Sequence, residues 1–301
     1  MVNSVALQAQ LRDSIEQELS ARVKAHQGDI ARLKSAVATL DAVGAARPVM
    51  PLALMANGDS WFDYPLNGNL FPSENTDIVA HLQTMGDLHP VILNLAHHGD
   101  ATTDEMGVSK QQSMIKALME PNNWLSPAKK PDAILFSGGG NDIVGEQFCI
   151  FLDYNVLGAT GLNASRFAGK LRAVEASYRD LFVFRDRYAP GVPILGHSYD
   201  FAIPNGRHPP CAGPWLKPSL DFTGWTNASV GASIVRRALE AFRDLLVALA
   251  ADPANGFTLV ETQGTLEPAD WANELHPYPP GFGKVATRYL EALRAMFPGR
   301  I

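Results

Sequence analysis

The stretch Pro51-Leu52-Ala53-Leu54-Met55-Ala56-Asn57-Gly58-Asp59-Ser60-Trp61 decides the fold. Leu52 to Ala56 is a short, unbroken apolar run, the mark of a strand buried on both faces. It ends at a glycine followed by small polar residues, which mark a turn. The same construction recurs down the chain. Val91 to Ala96 leads to His97-His98-Gly99, and Asp132 to Phe136 leads into Ser137-Gly138-Gly139-Gly140-Asn141-Asp142. Pro193 to Leu195 leads to Gly196-His197-Ser198, and Phe257 to Val260 is a fifth run. Between them, Thr76 to Thr84, Glu105 to Met119, Ala164 to Tyr188, Ser229 to Ala250 and Gly281 to Met296 read as helices. Strands alternating with helices imply a parallel sheet covered on both faces. In such sheets a ligand lies outside the carboxyl ends of the strands, where these motifs fall.

The chain has 301 residues, enough to bury a large core in one domain with additions. Hydrophobic residues make up 46% and charged residues 19%, ordinary values for a globular protein. A net charge of −6 argues against nucleic acid as a partner, since phosphate binding needs a basic surface. The longest apolar stretch, Val49 to Ala56, is far too short for a transmembrane segment. No basic region followed by an apolar one opens the chain, so a cytoplasmic location is expected. Cys149 and Cys211 read as two thiols in a reducing compartment; a bridge between them is the reading for an exported protein.

Two regions stand outside the alternation. Residues 1–46 form a helical arm in which Leu11, Ile15, Leu19, Val23, Ile30, Leu33, Val37 and Leu40 recur mostly at three- and four-residue steps. One or two amphipathic helices packed on the main domain are expected, with Gly28 as an interruption. The alternative is a coiled coil making a homo-oligomer through these helices. The main domain occupies residues 47–301. Its segment 199–226 is rich in Pro, Gly and aromatics and shows no clear helix or strand pattern. Long loops of that kind are commonly functional, and this one leaves the fourth strand toward the same sheet edge.

The motif residues supply a consistent set of chemical groups. Ser60 sits at a strand-to-loop corner that exposes its hydroxyl, and its amide, near a helix start, can donate to an oxyanion. Asn141 follows three glycines that let the backbone approach a ligand, and its side-chain amide can donate to the same charge. The Gly99 amide is a third donor. His276, followed by Pro277, Pro279 and Pro280, stands in a stiff loop where it can serve as general base to Ser60. Each residue also has a plain structural reading: a capped turn for Ser60, an Asx turn for Asn141, a required turn glycine for Gly99 and a surface histidine for His276. His97 and His98 beside Asp100 bring a metal to mind, but neighbouring side chains in an extended segment point to opposite faces, and no third ligand has a recognisable spacing. No metal is expected.

These blocks resemble the SGNH (GDSL-type) hydrolase family, named for Ser, Gly, Asn and His in four sequence blocks in that order. Gly58-Asp59-Ser60 matches the first block, Gly99 the second, Gly139-x-Asn141-Asp142 the third and His276 the fourth, over about residues 50–297. The expected class is α/β, a three-layer α/β/α sandwich on a five-stranded parallel, flavodoxin-like sheet. The resemblance implies an esterase with Ser60 as nucleophile, His276 as base, Ser60, Gly99 and Asn141 as oxyanion hole, and no cofactor. A small-molecule or lipid-like ester is the substrate expected. Trp61 and Asp142, beside the catalytic blocks, and Trp215, Phe222 and Trp225 of the aromatic segment are expected to touch it.

The last block departs from the family pattern. Asp-x-x-His is usual, and here Asn273 stands three residues before His276. An aspartate orients the imidazole and stabilises the imidazolium, whereas an asparagine can only orient it. Three groups can fill the place: Asn273 first, then Glu274 turned inward, then Asp270 from upstream. A carbohydrate acetyl-esterase on the same site and a non-catalytic binding protein on the same fold are the alternatives to a carboxylic-ester hydrolase.

Overall fold

A computed structural model of the chain describes residues 4–64, 76–207 and 213–301. Five strands form a single parallel sheet: β1 (Ala53–Gly58), β2 (Val91–Asn94), β3 (Ala133–Ser137), β4 (Ile194–His197) and β5 (Phe257–Val260), in the order β2-β1-β3-β4-β5. Alternating strands and helices predict the parallel sheet, and this order is the flavodoxin-like one that the family resemblance implies. Every residue of β1, β3 and β4 is buried, which is why their sequences are continuous apolar runs rather than alternating ones. In the register of the pairing, Gly58 lies beside Ser137, and Phe136 beside Gly196, so the first and third motifs leave the sheet side by side.

Helices cover both faces. α2 (Ile78–Leu82) packs against α9 (Pro279–Met296), the element that follows the His276 loop. α6 (Ala164–Tyr188) contacts α3 (Thr102–Glu105), α4 (Val108–Met119), α5 (Gly140–Ile143) and α8 (Ala228–Ala250). The helix expected over Glu105 to Met119 is two helices, because the chain breaks at Met106-Gly107 and Gly107 caps α4 with an extended backbone. The aromatic segment carries a helix of its own, α7 (Lys217–Phe222), with Pro218 in its first turn.

The arm is one continuous helix, α1 (Ser4–Ala42), and Gly28 does not interrupt it. Leu19, Val23 and Ile30 pack on the core. His26 is buried with its Nε2 2.8 Å from the Asn123 carbonyl, and Arg22 donates to the Ala96 carbonyl at 3.1 Å and to Asp63 at 2.5 Å. The helix lies along β2, an edge strand, and covering such an edge with a helix removes a site for unwanted strand pairing.

Candidate active site

The end of β1 is shaped by its glycine. Gly58 has φ of 151°, and a Cβ there would stand 2.5 Å from the Ser137 carbonyl oxygen, so no other residue lets β1 and β3 leave the sheet together. The Asp59 amide donates to that carbonyl at 3.0 Å, and the Phe62 amide closes a turn onto the Asp59 carbonyl at 3.0 Å. Ser60 therefore sits on a turn; among the described residues the next helix begins at Ile78. Its Oγ lies 2.7 Å from His276 Nε2, 216 residues away in sequence.

The tautomer of His276 follows from its neighbour. Asn273 Oδ1 accepts from the amides of Leu275 at 3.0 Å and His276 at 2.9 Å, so that atom must be the oxygen of the side chain. The same oxygen stands 3.2 Å from His276 Nδ1, which must then carry the hydrogen. Nε2 is left with its lone pair toward the Ser60 hydroxyl. Burial pushes the His276 pKa down to about 3, and nearby His98 adds to the fall. The ring is neutral at ordinary pH and able to accept a proton.

The two substitutes for Asn273 do not reach the imidazole. The Glu274 carboxylate turns the other way, onto the backbone of the aromatic segment, and Asp270 pairs with Lys284 at 2.7 Å and accepts from the Glu267 amide at 2.7 Å.

Beneath Ser60 lies a polar network that sequence reading did not anticipate. The buried Asp59 carboxyl accepts from the Trp61 amide at 3.0 Å, from Ser137 Oγ at 2.7 Å and from the Tyr199 hydroxyl at 2.5 Å. Since the Ser137 hydroxyl is donating to Asp59, the His197 Nε2 found 2.9 Å away must donate to Ser137. Burial pushes Asp59 up to about 6 against the pull of these hydrogen bonds, and pushes His197 down to about 3. Tyr199 adopts a left-handed φ of 55°, uncommon for a tyrosine, to place its hydroxyl there. The one sequence signal was that His197 closes a strand at the same sheet edge as Ser137.

Asn141 opens α5 behind Gly139 and Gly140. A Cβ at Gly139 would stand 2.5 Å from the Phe242 ring, and one at Gly140 2.8 Å from the Tyr199 ring, so the glycines allow this close packing. Asn141 Nδ2 donates to the Asp100 carbonyl at 2.9 Å. Asn141 lines one cleft together with Ser60 and His276; Trp61, Val144, Tyr199, Ala202 and Leu239 supply walls. Gly99 occupies a left-handed turn, φ 86°, outside that lining.

Several expected contacts go elsewhere. Asp142 is fully buried, accepts from the Thr102 amide at 2.7 Å and pairs with Lys170 at 2.7 Å. It ties α5 to α3 and α6 and does not face the cleft, because the residue after Asn141 turns inward with the helix. Phe222 is 69% exposed and meets Tyr154 rather than the cleft. Trp225 is buried with its Nε1 donating to the Asp153 carbonyl at 2.7 Å. Both hold the far end of the aromatic segment to the chain near residue 154. Trp215 is the member of that set that stands by the site, its ring edge-on to His276 with centroids 5.6 Å apart. Cys211 and His208 lie outside the described residues, so the bridge considered for Cys149 does too.

His97 and His98 do not point to opposite faces. Their rings stack with centroids 4.4 Å apart, because the chain has already left β2 for a turn. Each faces its own carboxylate, Asp100 at 3.6 Å and Asp63 at 3.7 Å. Among the described residues no group of three or more metal-ligating side chains converges, and no helix is long and apolar enough to cross a membrane.

No family model matches the sequence, and no curated protein does. Solved structures do match. The lipase Lip_vut3 from a goat rumen metagenome superposes with a TM-score of 0.51 at 14% identity, over 80% of this chain and 97% of that one. The extracellular lipase of Streptomyces rimosus gives 0.46 at 17% identity, over 80% and 98%, and TesA gives 0.41 at 14%, over 81% and 99%; these two are too distant in shape to carry an argument. The likeness to the rumen lipase shows the fold alone, and that fold is the one implied by the four SGNH (GDSL-type) blocks.

Proposed function

We propose that the protein is a serine esterase that hydrolyses carboxylic esters through an acyl-enzyme on Ser60. The observation that carries this reading is the aligned chain Ser60 Oγ, His276 Nε2, His276 Nδ1 and Asn273 Oδ1, at 2.7 Å and 3.2 Å. Ser60 Oγ attacks the ester carbonyl as His276 Nε2 takes its proton. The tetrahedral oxyanion is received by the Ser60 amide and by Asn141, which line the cleft with His276; the Gly99 amide, outside that lining, is a third donor only as the resemblance implies. The bond to the Asp100 carbonyl uses one hydrogen of the Asn141 amide and leaves the second for the oxyanion. Collapse of the intermediate breaks the bond to the leaving oxygen, which takes the proton from Nε2, and the alcohol departs. Water then repeats the sequence on the acyl-enzyme, releasing the acid and restoring Ser60. No cofactor enters the scheme.

Asn273 holds the imidazole in the right tautomer throughout, so the orienting half of an aspartate's role is kept and the charge half is absent. Val144, Ala202 and Leu239 give the cleft an apolar wall suited to an uncharged substrate. The test is turnover of p-nitrophenyl esters from acetate to palmitate by wild type and Ser60→Ala. A burst of nitrophenol in the wild type and none in the variant supports the scheme. Equal rates in both proteins would overturn it.

A further inference from the structure

Glu274, next in sequence to Asn273, is fully buried and faces away from the imidazole. Four backbone amides of the aromatic segment converge on its carboxylate. Gly206 and Lys217 donate to Oε1, each at 3.0 Å, and Trp215 and Leu216 donate to Oε2 at 2.6 Å and 2.8 Å. Its main-chain carbonyl accepts a fifth, from Ile203 at 3.2 Å. One residue thus gathers amides spread over residues 203–217 and ties them to the loop that carries Asn273 and His276. A carboxylate that accepts several backbone hydrogen bonds is held in one geometry, and charge-assisted bonds are stronger than neutral ones. The result at the site is the Trp215 ring held edge-on beside His276.

The side of the substrate that meets this ring follows from the chemistry. His276 Nε2 gives its proton to the leaving oxygen, so the alcohol departs past His276. The Trp215 ring packs on His276 without being part of the cleft lining, in which Val144, Ala202 and Leu239 are among the apolar side chains; a leaving group longer than the cleft therefore passes His276 toward this ring. An aromatic edge next to the departing group stabilises an apolar or aromatic alcohol portion and does nothing for a small one.

We propose that Glu274 is a positioning residue that clamps Trp215 against His276, and that the clamped ring selects esters of apolar or aromatic alcohols. This rests on the serine esterase reading above and names the part of the substrate that the reading leaves open. The experiment compares wild type, Glu274→Gln, Trp215→Ala and the double variant on 1-naphthyl acetate and ethyl acetate, with the p-nitrophenyl acyl series as control. A glutamine keeps the shape but offers one acceptor oxygen where the carboxylate offers two. Each single variant is expected to lose about tenfold in kcat/KM on 1-naphthyl acetate, mainly through KM, and less than about twofold on ethyl acetate. The acyl-chain preference is expected to stay unchanged. The double variant is expected to lose no more than either single one, since Glu274 acts through Trp215.

Equal losses on both alcohols, additive losses in the double variant, or a shifted acyl preference would each overturn the clamp. If Glu274→Gln does not fold, Glu274→Asp, which keeps the charge on a shorter stem, is read by the same ratio of the two acetates, with a partial shift expected and an unchanged ratio overturning the clamp. Ser60→Ala separates the two levels of the argument. Hydrolysis that survives Ser60→Ala sinks the esterase reading and the clamp with it. Ser60-dependent hydrolysis with an unchanged alcohol preference in Glu274→Gln sinks the clamp alone.

Discussion

Replacing Asn273 by aspartate restores the charge that the His276 loop lacks, and the structure sets the size of the effect. The side-chain oxygen already stands 3.2 Å from His276 Nδ1 and already accepts from the Leu275 and His276 amides. A carboxylate oxygen in the same place inherits both donors, and the second oxygen takes the position of the Asn273 nitrogen, 3.4 Å from the Tyr64 hydroxyl. An ion pair about 4 Å apart gains about 4 kcal/mol at the effective dielectric that suits protein sites. Burying the carboxylate costs several kcal/mol, which the waiting amides offset in part. The tautomer is already correct, so none of the gain comes from fixing it, unlike the loss of about four orders of magnitude seen when a triad aspartate is amidated. A net stabilisation of the transition state by about 1.5 to 3 kcal/mol remains, or about ten- to hundredfold in kcat.

The pH profile supplies an independent sign. His276 must be neutral to act as base, so activity rises with pH through its pKa. With that pKa near 3, the wild type has no His276-dependent limb between about pH 5 and 8. A carboxylate neighbour favours the imidazolium and raises the pKa, which moves the limb upward toward the measurable range. Stopped-flow acylation with p-nitrophenyl acetate from pH 4.5 to 9 reads both. A rate for Asn273→Asp at or below that of wild type, with an unmoved profile, would refute the reasoning.

Two further outcomes follow from the buried network. Tyr199→Phe removes the donor 2.5 Å from Asp59 and leaves a buried carboxyl short of a partner; thermal unfolding should show a loss of about 1 to 3 kcal/mol. No loss would mean that the hydroxyl contributes nothing net. Glu105 is fully buried, its carboxyl oxygens have no hydrogen-bond partner among the described residues, and burial, followed by Asp59 and Asp142, pushes its pKa well above the ordinary 4.5. A carboxyl raised on folding stabilises the native state below its unfolded pKa and loses that contribution as pH rises through the folded value. Glu105→Gln should therefore gain on wild type in urea midpoint as pH increases above about 4.5; a difference independent of pH would show that Glu105 does not titrate as burial requires.

The parts of the fold that were legible in the sequence are those written in local pattern. Buried strands read as apolar runs, their ends as glycine turns, and their alternation with helices predicts the sheet. β5 and α6 begin and end at the residues that the sequence pattern marks, Phe257–Val260 and Ala164–Tyr188. The Ser60–His276 pairing was legible because each residue sits at a strand end or in a loop that the topology brings to one edge. Direction within a loop was not legible. Asp142 turns into the protein, and His97 stacks on His98, because tertiary contacts choose the rotamer and the backbone leaves its strand early. Phe222 and Trp225 look like Trp215 in composition, yet contacts to Tyr154 and Asp153 carry them to the far end of the segment. Asn273 could be ranked first by spacing, but the tautomer it imposes needed the two amides that identify its oxygen. Tyr199 and Ser137 carry no motif signal, and only the fold brings them to Asp59.

The central claim is that Ser60 is the group that takes up the acyl chain. Intact-protein mass spectrometry after brief exposure to p-nitrophenyl butyrate at low temperature, with peptide mapping, tests it most directly. One butyryl group on Ser60, formed in wild type, accumulating in His276→Gln no faster than background and absent from Ser60→Ala, is the result the account predicts. Acylation at another residue, or turnover that persists without Ser60, would contradict it.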